Sequence, residues 1–166
     1  MILSHAELVE RAAQWLMGRG RCGVVCTEWS GPRQADMPDA IGWSHAAACT
    51  VVECKTSMSD YYADSRKFIH CCPFGHHRWY LCKPGVLRSV REGWGLLWCY
   101  PSQVRIQVPA PLHVLDAEAV TRQSQYLFNA ARRLFYMTNG HEAWGMDRLH
   151  LCPGLMAMEG DECSTK

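Results

Sequence analysis

Residues 49–55, CTVVECK, form an apolar and β-branched run that carries a glutamate and a lysine two positions apart. The residues that follow, Thr56, Ser57 and Ser59 with Asp60, are those that start helices. A strand that ends on a lysine and passes at once into a helix constrains the fold more than any other stretch. It fits an α/β domain in which a helix follows the strand directly.

The flanking sequence fits that frame. SHAELVERAAQWLM, residues 4–17, pairs Ser4 with Glu7 in a capping box and repeats apolar residues at helical spacing. Gly18 and Gly20 stop this helix, and CGVVCTEWS reads as a strand. DAIGW and ACTVVECK read as two strands joined by a link of hairpin length around Ser44 to Ala47. A helix is expected from Ser57 through SMSDYYADSRKFIH, then strands at HRWYLC, GLLWCY and VRIQV. DAEAVTRQSQYLFNAARRLFYM, residues 116–137, reads as a long helix with an Asp cap. The expected architecture is a single domain over residues 1–150, with a mixed sheet flanked by helices, and a flexible tail over 151–166.

Composition narrows the class. No apolar run approaches the roughly 18 residues that span a bilayer, so no membrane partner is expected. The amino-terminal residues lack the basic start and apolar block of a secretory signal, and cytoplasmic residence is the expectation. The 10 cysteines are then read as reduced thiols, with Cys26, Cys49, Cys54, Cys82 and Cys99 acting as small buried hydrophobes in strands. A net charge of +1 provides no global cationic field, so any nucleic-acid contact must be local.

Side chains alternate along a strand, so Val51, Glu53 and Lys55 share one face while Val52 and Cys54 face the core. On this reading Glu53 and Lys55 stand about 7 Å apart on a functional face. Asp39, in the preceding strand of the hairpin, approaches Glu53 across the pair. Two facing carboxylates repel unless a cation lies between them, and a hard, oxygen-seeking ion such as Mg²⁺ meets that need. The bland alternative is an exposed strand pair of opposite charges.

Pro38, Asp39, Glu53 and Lys55, set in a helix, three strands, helix, strand order, resemble the PD-(D/E)XK nuclease superfamily. DAIGW, VVECKTSMSDYYADSRK, HRWYLCKPG and EGWGLL are similar to a subgroup of small bacterial and phage nuclease-like proteins, some described as DNA-repair proteins; the likeness spans roughly residues 4 to 100. The resemblance implies a restriction-endonuclease-like core and a Mg²⁺-dependent deoxyribonuclease, with Mn²⁺ as a substitute, that hydrolyses phosphodiester bonds in DNA during repair or phage DNA processing. It assigns Asp39 and Glu53 to the metal, with the backbone carbonyl of Cys54 as a further ligand, and Lys55 to the attacking water. It also implies DNA as partner and allows a homodimer. A nuclease fold that has lost turnover and serves as a DNA-binding or protein-interaction module is the rival.

Further residues enter by the same route. Glu10 on the first helix and Glu28 at the end of the first strand match acids that some members direct at the metal, each against the alternative of an ordinary surface charge. Asp36 ranks behind Asp39 because it precedes the Pro38 turn. Arg66 and Lys67 on the second helix, and Arg78 before the fourth strand, are candidates for phosphate contacts. His70, Cys71, Cys72, His76 and His77 suggest zinc, but adjacent cysteines lack the usual ligand spacing, and a loop before a strand is the preferred reading. Trp79, Tyr80, Trp94 and Trp98 are read as core aromatics.

Overall fold

The structure, a computed structural model, describes residues 3–29, 38–63, 74–138 and 146–151. Helix α1 (His5–Met17) leads into strand β1 (Cys22–Trp29), then β2 (Ala40–Ser44) and β3 (Cys49–Lys55). Helix α2 (Met58–Ala63) connects to β4 (His77–Cys82), followed by β5 (Gly95–Cys99), β6 (Val104–Val108), helix α3 (Ala117–Thr138) and β7 (Met146–Leu151). The seven strands form one sheet in the order β6-β5-β4-β3-β2-β1-β7. It is mixed: β3, β4 and β5 run parallel, and every other pairing is antiparallel.

Local chemistry sets the elements that the sequence specifies most strongly. Ser4 caps α1 with the reciprocal bonds of a capping box: Glu7 N donates to Ser4 Oγ, and Ser4 N donates to Glu7 Oε2. The β2–β3 hairpin closes at Ser44–Ala48, where Ala47 adopts φ 58°. Asp116 caps α3 by accepting from Ala119 N at 2.8 Å.

The sheet is covered on both faces. Leu8, Ala12 and Leu16 of α1 pack on Val25, Val52, Cys54, Leu81 and Leu97. The opposite face buries Ile41, Val51, Tyr80 and Leu96 beneath Ala119, Ala130 and Tyr126 of α3, with Tyr61 of α2 beside them. This corrects one expectation: Val52 and Cys54 are core-facing, as read, but the other face of β3 is also core. All seven residues of β3 are buried, as befits a central strand paired in parallel on one side and layered by helices above and below.

The expected order of elements is present, with one addition. β7 pairs antiparallel with β1 and ends at Leu151, so the expected boundary at residue 150 falls inside a strand. Residues 152–166 of the expected tail lie outside the described residues, as does the expected continuation of α2 beyond Ala63. Among the described residues no helix is long and apolar enough to cross a membrane.

Candidate active site

The site is built at the carboxyl end of β3, beside the carboxyl end of its parallel neighbour β4, where Lys55 is in register with Cys82. Open α/β sheets present ligand sites at such ends. Glu53 is 0% and Lys55 1% exposed, and Lys55 Nζ donates to Glu53 Oε2 at 3.1 Å. The ammonium also lies 6.0 Å from the centroid of the Tyr80 ring. That ring is held by Trp94 stacked on it at 4.4 Å and by Tyr61 edge-on at 5.0 Å.

Asp39, just before β2, contacts the β3 backbone beside the pair. Ala40 is in register with Val52, so Asp39 falls opposite Glu53 by continuation of the ladder. Its Oδ2 accepts from Cys54 N at 2.7 Å, which ties the carboxylate to the backbone between Glu53 and Lys55. Its Oδ1 is turned the other way, 3.4 Å from His5 Nε2 at the first residue of α1. The chain turns away after Lys55 because Asp60 Oδ2 accepts from Thr56 N and Ser57 Oγ accepts from Asp60 N. Burial, followed by the nearby Asp39 and Glu53 charges, pushes the Cys54 thiol far above its usual range, so it stays a neutral core group.

An exposed strand pair is therefore excluded for Glu53 and Lys55. Burying two charges costs several kcal/mol per ion before their attraction and hydrogen bonds offset it, and an apolar pair of like volume is often as stable. Stability alone gives little reason for this pair. As donors, the Asp39 and Glu53 carboxylates and the Cys54 carbonyl are all oxygens. That is the kind of set Mg²⁺ takes, since it uses one or two carboxylates and keeps several waters. Among the described residues no three His, Cys, Asp or Glu side chains form a metal-holding group by themselves.

The remaining candidates fall elsewhere. Glu10 accepts from Gln14 Nε2 at 3.3 Å and lines a groove of about 440 Å³ with Glu7, Arg11, Lys83 and Tyr100; neither Asp39, Glu53 nor Lys55 lines it. Glu28 belongs to β1, but its side chain lies outside the described residues, as do Asp36, Arg66, Lys67, His70, Cys71 and Cys72. Arg78 is in register with Val51, four residues before the Lys55–Cys82 pair, which is about 13 Å along the strand. Its guanidinium is engaged inside the protein: Nη2 lies 2.7 Å from His113 Nδ1, and Cζ lies 5.8 Å from the Trp94 ring. His113 Nε2 lies 2.7 Å from Gly93 O and 2.8 Å from Arg78 Nη2, so the imidazole links the guanidinium to the Gly93 backbone. His76 Nδ1 accepts from Cys49 N at 3.0 Å, a structural use. Trp79, Tyr80 and Trp94 are buried, and Trp98 Nε1 donates to Leu87 O at 3.0 Å, as core aromatics do.

The sequence reading missed His5. Nothing local distinguishes it, since a histidine just after a Ser cap reads as an exposed helix residue; only the fold brings it against Asp39. No family model and no curated protein matches the chain. A solved structure shares its fold. That protein, of unknown function and from Silicibacter pomeroyi, aligns with a TM-score of 0.63 at 22% identity, over 87% of this chain and 99% of its own. The likeness shows an α/β fold with a mixed sheet flanked by helices.

Proposed function

We propose that the chain is a metal-dependent nuclease of the PD-(D/E)XK kind, acting on DNA, with Asp39, Glu53 and Lys55 as its active-site residues. The observation that carries this reading is the fully buried Glu53–Lys55 ion pair, set on the central strand and tied through the Cys54 backbone to Asp39. An ion pair desolvated at a sheet's carboxyl end adds little net stability, which favours a functional reading of it. The α1-β1-β2-β3-α2-β4 order, with β3 and β4 parallel, supports a restriction-endonuclease-like core.

In this reading Asp39 and Glu53, with the Cys54 carbonyl, hold Mg²⁺ or Mn²⁺. An ion held there would supply positive charge opposite the phosphate and Lewis acidity toward the attacking water. Lys55 directs its ammonium at the water and at the charge that develops as the bond from phosphorus to the leaving oxygen breaks. Tyr80 and Trp94 keep that ammonium in one position and exclude bulk water from its stem.

The same burial, which closes Glu53 and Lys55 off from solvent, also fits a second reading, a nuclease fold that binds DNA or a protein without cutting. One experiment separates the two. Purified protein is incubated with duplex, single-stranded and branched DNA and with RNA, in Mg²⁺, Mn²⁺ or EDTA, beside Asp39→Asn. Cleavage that requires the cation and is lost in Asp39→Asn supports the nuclease. Binding of nucleic acid or protein without cleavage of any substrate supports the module.

A further inference from the structure

The groove beside α1 takes no part in the chemistry of Asp39, Glu53 and Lys55, yet it lies next to them. It holds about 440 Å³, within the roughly 300–1,000 Å³ of ligand sites. Lys55 is in register with Cys82, and Cys82 with Trp98. Lys83 and Tyr100, which line the groove, each follow the last residue of their strand, β4 and β5. Neighbouring strands stand about 4.8 Å apart, so the groove opens about 5–10 Å from Lys55 along the row of carboxyl ends. A stacked nucleic-acid strand covers that in about three nucleotides or fewer, at about 3.4 Å each. Local bonds hold the groove in shape: Arg11 Nη2 donates to Pro101 O, tying α1 to the β5–β6 turn, and Tyr100 N donates to Gln103 O at 2.8 Å.

The lining is charged differently on its two sides. Lys83 brings an ammonium from the sheet, and Glu7 and Glu10 bring carboxylates from α1. Glu7 is committed to the Ser4 cap. Glu10 Oε1 accepts from Gln14 Nε2 at 3.3 Å, and a carboxylate has about four lone-pair sites, so it can accept further donors. A phosphate suits the lysine and is repelled by the acids, whereas the amino group of a nucleobase is a donor that suits Glu10. Tyr100 and Pro101 add the apolar surface on which a base rests. We infer that the groove takes one unpaired base of the DNA strand that crosses the site, stacked at Tyr100, with an amino-bearing edge such as that of cytosine turned to Glu10 and the adjoining phosphate on Lys83. In a duplex that edge is occupied by the partner base, so the substrate is single-stranded or locally opened DNA. The inference rests on the reading of the chain as a DNA nuclease, and its test reads binding and needs no turnover.

Fluorescence anisotropy in EDTA measures the affinity of the full chain for single strands of about eight nucleotides. The strands are deoxycytidine, deoxyuridine, which replaces the amino group by a carbonyl oxygen, and an abasic backbone; a duplex of equal length is the fourth probe. The wild type should bind the deoxycytidine strand about fivefold or more tighter than the deoxyuridine strand, and both tighter than the abasic backbone and the duplex. Tyr100→Ala should weaken binding of the deoxycytidine strand about fivefold or more and leave the abasic backbone unaffected. Glu10→Gln, on the surface of α1 where the fold does not depend on it, should remove the preference for cytosine over uracil and keep the preference for either over the abasic backbone. Equal affinity of the wild type for all three single strands, an unchanged cytosine preference in Glu10→Gln, or no binding of any strand would overturn the base site. Cation-dependent cleavage that is lost in Asp39→Asn, with no base preference in binding, would overturn the base site and leave the nuclease standing. A cytosine preference that needs Glu10, in a protein that cuts no DNA with any cation, would support the base site and overturn the nuclease.

Discussion

Lys55→Met tests the buried pair most directly. Methionine has a stem of similar length without the charge, so the substitution leaves Glu53 enclosed at 0% exposure with its 3.1 Å partner removed. Removing one member of a buried ion pair costs about 3–5 kcal/mol, against no more than about 1 kcal/mol for an exposed pair. For a chain of this size, at about 2–4 °C per kcal/mol, the melting temperature should fall by roughly 6–20 °C. The companion Glu53→Gln should also destabilise, but the double substitution should recover much of the loss, because neither buried charge then lacks its partner. The coupling in that cycle should reach about 1–3 kcal/mol. Urea denaturation of the four proteins at neutral pH measures it. A Lys55→Met loss below about 1 kcal/mol, or losses that simply add in the double variant, would refute the enclosed pair. Lys55→Arg should not restore stability, since a planar fork does not fit a slot shaped for a compact ammonium.

Other consequences concern the strands around the site. Burial pushes the Cys22 and Cys82 thiols from an ordinary 9.0 up to about 11. The folded protein then keeps protons that the unfolded chain releases, so stability should be level below pH 9 and fall as pH rises from 9 to 11. A fall of the same size in a Cys22→Ala, Cys82→Ala variant would contradict this account. The six buried cysteines among the described residues, Cys22, Cys26, Cys49, Cys54, Cys82 and Cys99, should resist iodoacetamide in the folded protein and react once urea is added; mass spectrometry that finds them labelled quickly without urea would oppose their burial. Gly42→Ala should cost about 1–3 kcal/mol, since a Cβ there would lie 2.7 Å from Cys22 Sγ and 3.3 Å from Val25 Cγ2. Thermal unfolding of that variant beside Gly42→Ala, Cys22→Ala should show partial recovery, and equal losses in both would place the strain elsewhere.

Much of the fold is legible in short-range chemistry. The Ser4–Glu7 box, the turn at Ser44–Ala48 and the Asp116 cap each declare an element boundary through residues a few positions apart, and all three occur where read. Long-range facts are less visible. MDRLHL becomes β7 because β1 has an open edge to pair with, a property of residues 22–29 that the local pattern does not carry. Strict alternation misled the reading of β3: an unbroken apolar run such as CTVV signals burial on both faces, and that signal extends to the glutamate and lysine that follow. The proximity of Asp39 to the β3 backbone was readable from hairpin spacing, and the His5 contact was not, because α1 reaches that end of the sheet only through packing.

The place of β7 in the sheet has a consequence for how the chain acquires its structure during synthesis. α1, β1, β2 and β3 are contiguous in sequence and can associate as soon as residue 55 is free of the ribosome. The outer edge of β1, however, finds its native partner only when residues 146–151 have emerged, nearly a hundred residues later. At roughly 5–20 residues per second that interval lasts about 5–20 seconds. Throughout it CGVVCTEW offers an unsatisfied ladder of amides and carbonyls to any neighbouring nascent chain. The last described strand is thus the one that covers the outer edge of β1 and takes its place as the edge of the sheet.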